Sequence, residues 1–477
     1  MKTILRSTAL FAALVLAGCA SVGPDYHAPK EAPVTLQGVD PAQQTSEAFQ
    51  AQWWKQFGDP TLDSLIVRAA KGSPDLRIAV ARLNQARAAL GTAKSQQIPD
   101  VETGVAYSRA REQQPGFTDQ RQTITSYQAG FDASWELDLF GGIRRSVEAA
   151  RADAGAGEAS LQDAQVTLFA EVARNYFDLR GTQLRIDVAR RDITNQQDSL
   201  KVINARVEVG TGAEQDLASA KARLAAVEAQ LPVLETQAQA DQFRIAVLLG
   251  ERPGELDIDL SPATFKPIDV SLAIGGADEV LQRRPDIRIA ERELAAANAR
   301  IGVAKADYFP HITLGGFIGF LAGRSNDFGG ADSRAWSLAP SISWSGLNVQ
   351  RVASGVKGAR ARAEEAQANY DRTVLTALED VDNSLVGFNQ QRVRVEKLVV
   401  QAKESRRAAE LARLRYDAGR TDYLELLDAE RTQLSAEDQL AEAEAGINTR
   451  AVSLYKALGG GWQACGNNAC SEVAKAP

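Results

Sequence analysis

Three cysteines and a few carboxylates beside two glycine turns are the residues of this chain with the clearest chemistry to offer. Cys19 closes Leu16-Ala17-Gly18-Cys19, behind an apolar run from Ala9 to Leu16 that is preceded by Lys2 and Arg6. The run falls short of the roughly 20 residues of a membrane span, so residues 1–18 read as a secretion signal. A cysteine where small residues flank the cleavage site is the pattern of bacterial lipoproteins, whose new N-terminal cysteine carries acyl chains. The alternative is an ordinary signal with a chance cysteine, and only three cysteines exist to land there. Each buried methylene contributes about 0.8 kcal/mol, so several chains anchor a protein firmly. Ala20 follows where an aspartate would mark retention at the inner membrane, which points to the outer membrane of a Gram-negative cell.

Cys465 and Cys470, separated by Gly-Asn-Asn-Ala, read as a local disulfide in an oxidising compartment. A metal site would need further ligands, and His27 and His311 are distant in sequence and read as structural or surface residues. Glu425 and Asp428 stand three residues apart in a stretch of helical periodicity and share a face, and Asp216 holds the place equivalent to Glu425 in an internal copy. Carboxylates early in a helix can simply favour its positive end, by about 0.3 to 1 kcal/mol. No P-loop, His-Glu-x-x-His, Gly-x-Ser-x-Gly or cysteine pair at zinc spacing near other ligands occurs. The expectation is a protein that is no enzyme and has no cofactor beyond the lipid on Cys19. A net charge of −7 argues against nucleic acid, which requires a basic stripe.

What positions these residues is written twice. Pro74, Asp75, Arg77, Gly91, Lys94 and Pro99 recur as Pro285, Asp286, Arg288, Gly302, Lys305 and Pro310. Two residues out of that register, Ala150, Arg206, Gly210, Leu217, Ala220 and Gly250 return as Ala359, Arg415, Gly419, Leu426, Ala429 and Gly459. A period of about 210 residues far exceeds that of solenoids and marks one duplication. The proline-free stretches Ile143 to Glu208 and Leu347 to Asp417 carry apolar residues at three- and four-residue spacing, and at about 1.5 Å per residue each helix reaches roughly 100 Å. Each ends in a glycine turn, Val209-Gly210-Thr211-Gly212 or Ala418-Gly419-Arg420-Thr421, after which a helix returns over Ala213 to Leu249 or Asp422 to Leu458. Pro232 should bend the first return. A short helix, Asp75 to Gln97 in the first copy, makes up the length of the shorter column.

No hydrophobic stretch after the signal suits a transmembrane helix, so any span must use strands. Four candidates exist. Val101, Thr103, Val105 and Tyr107 alternate with polar or small residues, as do Tyr127, Ala129, Phe131, Ala133 and Trp135. Ile312, Leu314, Gly316, Ile318 and Phe320, then Leu338, Pro340, Ile342 and Trp344, repeat the pattern. Segments of about ten residues with one apolar face suit a membrane barrel, although two hairpins on a soluble core would read alike. Loops are expected around Glu112 to Arg121 and Ala322 to Arg334. Four strands fall below the barrel minimum of about eight, so several chains must share one barrel.

Several dispersed motifs resemble one family. The lipobox followed by Val22-Gly23-Pro24-Asp25-Tyr26, then Trp53-Trp54-Lys55-Gln56-Phe57, Trp135-Glu136-Leu137-Asp138-Leu139-Phe140-Gly141, Gln282-Arg283-Arg284-Pro285-Asp286-Ile287 and Leu426-Leu427-Asp428-Ala429 look like the TolC-type outer-membrane factors, in their lipoprotein efflux branch, the NodT family. The resemblance covers essentially the whole mature chain. It implies an α/β membrane protein: a homotrimer whose twelve strands form an outer-membrane β-barrel, continuous with a periplasmic α-helical barrel. Such a duct passively conducts drugs, toxic compounds or metal ions, delivered by an inner-membrane efflux transporter and a periplasmic adaptor protein. A duct for protein secretion shares the architecture, and a structural coiled-coil lipoprotein is the reading from another class.

The implied layout runs from the signal (1–18) through a lipidated N-terminus and equatorial segment (19–72), a first repeat (73–250), an equatorial linker (251–284), a second repeat (285–458) and an equatorial tail (459–477). The three residual segments, Gly23 to Lys71, Glu251 to Arg284 and Gly459 to Pro477, are expected to form one belt. The resemblance also places Asp216, Glu425 and Asp428 in a closed periplasmic gate at the hairpin tips, with Tyr416 and Arg420 as latch partners. A member of that family carries the basic residue one position later, where this chain has Thr421.

Overall fold

The computed structural model describes residues 21–29, 51–114, 118–263, 268, 281–345 and 348–463. Cys19, Cys465 and Cys470 lie outside them. The chain forms two compact units: one holds the described residues within Met1–Lys30, Arg82–Glu158 and Arg288–Arg372, the other those within Glu31–Ala81, Ala159–Ile287 and Thr373–Pro477.

Seven α-helices are described: α1 (Pro60–Gly72), α2 (Pro74–Ser95), α3 (Gly142–Glu208), α4 (Glu214–Leu249), α5 (Pro285–Ala306), α6 (Val349–Asp417) and α7 (Tyr423–Ala457). The strands are β1 (Asp100–Gln114), β2 (Thr118–Leu137), β3 (His311–Ala322) and β4 (Arg334–Ser343). Each repeat thus delivers a short helix, two strands, a long helix and a returning helix, in that order. Gly210, Gly250, Gly419 and Gly459 close the four long helices at φ of 78°, 78°, 67° and 70°, a conformation only glycine adopts without strain. At Gly210 the amide bonds Val207 O at 3.0 Å and the Thr211 amide bonds Arg206 O at 2.9 Å. Gly419 and Arg420 make the same pair of bonds to Tyr416 and Arg415, at 3.0 and 2.9 Å. This double closure satisfies carbonyls that the helix end would otherwise leave free. The helix α4 runs through Pro232 as one element. Proline removes one donor, and Glu228, whose carbonyl loses it, is exposed.

In the first unit the four strands form one antiparallel sheet in the order β1-β2-β3-β4, so β2 and β3 join the two repeats. The strands of the first hairpin run further than expected: β1 and β2 pair as far as Gln114 and Thr118, taking in most of the predicted loop. The second connection holds two short 3₁₀ turns, Ser325–Asp327 and Ala331–Ser333. Directly paired residues share a face, and the register aligns Thr103, Phe131, Ile318 and Trp336 across all four strands. The neighbouring rows on that face hold Val105, Ala129, Phe320 and, at the start of β4, Arg334, and Val101, Ala133, Gly316 and Leu338. The opposite face carries Glu102, Asp132, Ser134, Thr313, Ser337 and Ser341 among glycines and alanines, with Phe317 and Leu321 as its large apolar residues on β3. Val105 is 83% exposed, Trp336 79% and Ile342 72%. The sheet therefore presents its apolar face instead of packing it on a soluble core. At the strand bases the Trp135 indole donates to Gln97 O (3.2 Å) and the Trp344 indole to Tyr308 O (3.1 Å), one hydrogen bond made twice by the duplication.

The second unit is built on aromatic packing. Trp53 is fully buried and stacks on Tyr455 at 5.1 Å, while Trp54 meets Phe169 edge-on at 5.3 Å. Around them lie Leu62, Leu65 and Ile66 of α1, Val172 and Phe177 of α3, and Leu454 of α7. Asp59 starts α1 by accepting the amides of Thr61 (2.9 Å) and Leu62 (3.2 Å). Of the segments expected to form one belt, Val22 to Tyr26 belong to the first unit, and Trp53 to Gly72 and Glu251 to Leu260 to the second.

Candidate gate at the hairpin tips

The two turns and the helix ends around them pack a small apolar core of Ile203, Leu217, Ala220, Ala412, Tyr416, Tyr423 and Leu426. Of the five predicted gate residues Tyr416 lies in it, and Asp216, Glu425 and Asp428 directly adjoin Leu217, Leu426 and Leu427 in the chain. Tyr416 is buried, tilted against Tyr423 at 5.8 Å, with the Arg206 guanidinium 4.4 Å from its ring centre. That cation over the ring's negative face ties the end of α3 to the end of α6. Glu425 accepts a hydrogen bond from the Thr421 hydroxyl and an ion pair from Arg415 at 3.3 Å. Asp422 caps α7 through the Glu425 amide at 3.1 Å. Asp428 and Arg420 are exposed and Asp216 half-buried.

Within the chain, therefore, Glu425 meets Arg415 and Thr421 rather than Arg420. Thr421 stands where the basic residue of the resemblance falls, and its hydroxyl donates to Glu425. Arg415 is legible only through the repeat, as the copy of Arg206.

Behind the tips lies a buried polar network that sequence reading missed. Gln196 of α3 donates to Glu430 of α7 (3.1 Å) and to Asp192 (3.3 Å). Arg223 of α4 pairs with Asp192 at 3.3 Å. Arg413 of α6 reaches Glu430 (3.0 Å) and Ser199 (2.7 Å). All four helices are joined. Burial pushes the Asp192 carboxyl above the usual carboxylate range, opposed by Gln196 and Arg223. The available signal was polar residues at positions where the helical period calls for apolar ones. Tyr423 completes the layer: its hydroxyl is buried and has no hydrogen-bond partner among the described residues, and burial pushes its pKa up to about 12.

His311 at the start of β3 pairs with Glu136 near the end of β2 at 2.7 Å, and its other ring nitrogen lies 3.7 Å from Asp307, just after α5. Among the described residues no cluster of three or more His, Cys, Asp or Glu could hold a metal ion. Among them, too, no helix is long and apolar enough to cross a membrane.

A sheet that exposes a continuous apolar face, carried with two long helical hairpins ending in polar tips, has the parts of an outer-membrane channel subunit. The model of the outer membrane efflux protein family matches residues 65–251 and 276–460, and the chain belongs to that family. It is 36% identical over 423 residues to the pyoverdine export outer membrane protein OpmQ of Pseudomonas putida, covering 87% of this chain and 88% of that one. The toluene efflux pump outer membrane protein TtgI of the same species is 30% identical, across 97% and 99% of the two chains. The solved outer-membrane channel OprN superposes with a TM-score of 0.90 at 44% identity, covering 93% of this chain and all of that one. The protein is an outer-membrane efflux component.

Proposed function

We propose that three copies of this chain form the exit duct of a tripartite efflux pump, closing one twelve-stranded barrel in the outer membrane of a Gram-negative cell. The observation that carries the reading is the sheet itself: four strands with an exposed apolar face, bounded by β1 and β4. In lipid, edges must be paired, and four strands are too few to close on themselves. Pairing β4 of one copy with β1 of the next satisfies both edges and places the row of Thr103, Phe131, Ile318 and Trp336 toward lipid. The face bearing Glu102, Asp132, Ser337 and Ser341 then lines the water-filled lumen, and the helical columns line a periplasmic tunnel.

Conduction through such a duct is passive. An inner-membrane transporter and a periplasmic adaptor supply energy and cargo, and acyl chains on Cys19 add an anchor. At the hairpin tips the carboxylates of Glu425, Asp428 and Asp216, brought near a three-fold axis, repel one another unless paired, so the closed state depends on donors such as Arg415, Thr421, Tyr416 and Arg420. Purified full-length protein added to a planar bilayer should give discrete current steps with no energy source. Folded protein that inserts but never conducts would refute the duct.

A further inference from the structure

Toward its two hairpin turns the apolar face of the sheet becomes basic. The alternation that puts Thr103 and Val105 on that face continues through Tyr107 to Arg109 and Arg111, and the register opposes these with Tyr127, Thr125 and Thr123. Tyr107 and Tyr127 lie 5.0 Å apart, and Phe328 folds back onto Tyr127 and Phe320, each at 6.3 Å, so aromatic rings close off the apolar rows. Beyond them come two arginines side by side on β1 and two threonines directly across on β2. The chain leaving β3 passes the same corner: a Cβ on Gly323 would stand 3.9 Å from Thr125 O, and Arg324 follows in extended backbone at φ −135° and ψ 145°.

Arg109, Arg111 and Arg324 are exposed, and none of the three guanidinium groups has a hydrogen-bond or ion-pair partner among the described residues. The hydroxyls of Thr123 and Thr125 lack one there as well. Nearby carboxylates do not neutralise the arginines: Glu112 alternates to the opposite face with its partner Gln122, and Asp327 and Asp332 make no ion pair among the described residues. Strands rise about 3.4 Å per residue and tilt by about 40° in a membrane barrel, so Arg109 and Arg111 stand roughly 5 and 10 Å beyond Tyr107 along the membrane normal. An aromatic row marks the edge of the hydrocarbon core, and the headgroup layer beyond it is about 5 to 8 Å deep. Both guanidinium groups therefore reach the headgroups.

We propose that Arg109, Arg111, Thr123, Thr125 and Arg324 form an outward-facing site for the phosphate groups of a glycolipid in the outer leaflet, the class to which lipid A belongs. Charge complementarity selects the occupant. A guanidinium offers a phosphate two parallel donors, and the threonine hydroxyls donate to its remaining oxygens. Arginines about 7 Å apart along one strand suit a headgroup with more than one phosphate better than a single small anion. Conducted solutes do not meet the site, because they pass on the other face of the sheet. The inference rests on the barrel proposed above, which turns this face to lipid and the hairpin turns to the exterior, and it adds a lipid contact at the seam between copies. Pairing β4 with β1 of the next copy brings Arg334, exposed on the same face, to that edge.

The test titrates the full-length assembly in mild detergent with bis-phosphorylated lipid A, and with the same lipid stripped of its phosphates, and reads bound lipid by native mass spectrometry. The parent should retain the phosphorylated lipid at least about tenfold better, and equal retention of the two would overturn the site with no variant involved. Arg109→Gln with Arg111→Gln should lower retention roughly tenfold. Arg360→Gln with Arg362→Gln, equal in charge but placed on α6, should leave it unchanged. Equal losses in the two double variants would reduce the effect to net charge and overturn the site. Displacement of the lipid by an equal concentration of inorganic phosphate would do the same, by marking a site for free anions. Current steps from the same parent preparation judge the duct separately: a conducting protein without the lipid preference refutes the site alone, whereas one that never conducts refutes the duct and the site with it.

Discussion

At the first hairpin tip Ala213 precedes α4 with no side-chain cap, whereas at the second Asp422 accepts the Glu425 amide at 3.1 Å. The first tip lends Arg206, Asp216 and the apolar Ile203 and Leu217; the second brings Tyr416, Thr421, Tyr423 and Glu425. Yet the turns share one backbone, glycine with positive φ and the same two closing hydrogen bonds. After a duplication the backbone solution persists because only glycine meets it cheaply. Side chains are free of that constraint, and here the polar chemistry has gathered on one of the two copies. The second tip is thus the one whose loss should open the closed state.

The largest effect is expected from Glu425→Ala with Asp428→Ala, which removes both candidate gate carboxylates of the second tip. Single-channel conductance in planar bilayers should rise and block by cations should weaken, with a smaller change for Asp216→Ala at the first. Equal effects from the two tips would erase the asymmetry, and no effect from either would put the latch elsewhere. Next comes the cap. Asp422→Ala should cost about 1 kcal/mol of local stability and Ala213→Asp should add a similar or smaller amount, read by hydrogen exchange at the first turns of α7 and α4. If Ala213→Asp adds nothing, the first tip is already satisfied by another route.

The smallest effect belongs to Tyr423→Phe. The buried hydroxyl lacks a partner among the described residues, so its removal should be nearly neutral or slightly stabilising near pH 7. An unfolded tyrosine titrates near pH 10 and the folded group near 12, held up by burial and by Glu430. The folded chain keeps a proton that the unfolded chain loses, so this group costs no stability below about pH 10 and draws stability down as the pH climbs from there through about 12. Thermal melts should show a shallower alkaline loss in Tyr423→Phe than in the parent, and identical slopes would contradict the assignment.

Much of this was legible in sequence because it depends on period and on special residues. Pro99 and Pro310 mark where the short helices stop, the alternation around Val105, Phe131, Ile318 and Leu338 marks the strands, and Gly210 and Gly419 mark the turns. The pairing of β2 with β3 follows from no local pattern, although the shared apolar face is visible once the register is known. Contacts between long helices were the least legible. Whether Arg415 or Arg420 meets Glu425, and whether Gln196 meets Glu430, depends on rotational phase accumulated over many turns, to which spacing within one helix is blind. The contacts of Val22, Pro24 and Tyr26 with Arg145, Asn298 and Glu291 were hidden for a related reason, since those three partners come from two helices far apart in sequence.

The central claim is that one chain supplies a third of a closed barrel, and the mass of the assembly tests it most directly. Full-length protein extracted in mild detergent and examined by native mass spectrometry should appear as a trimer, because a single four-stranded sheet leaves the edges of β1 and β4 open in lipid. A monomer that retains the full β-content by circular dichroism would contradict the account.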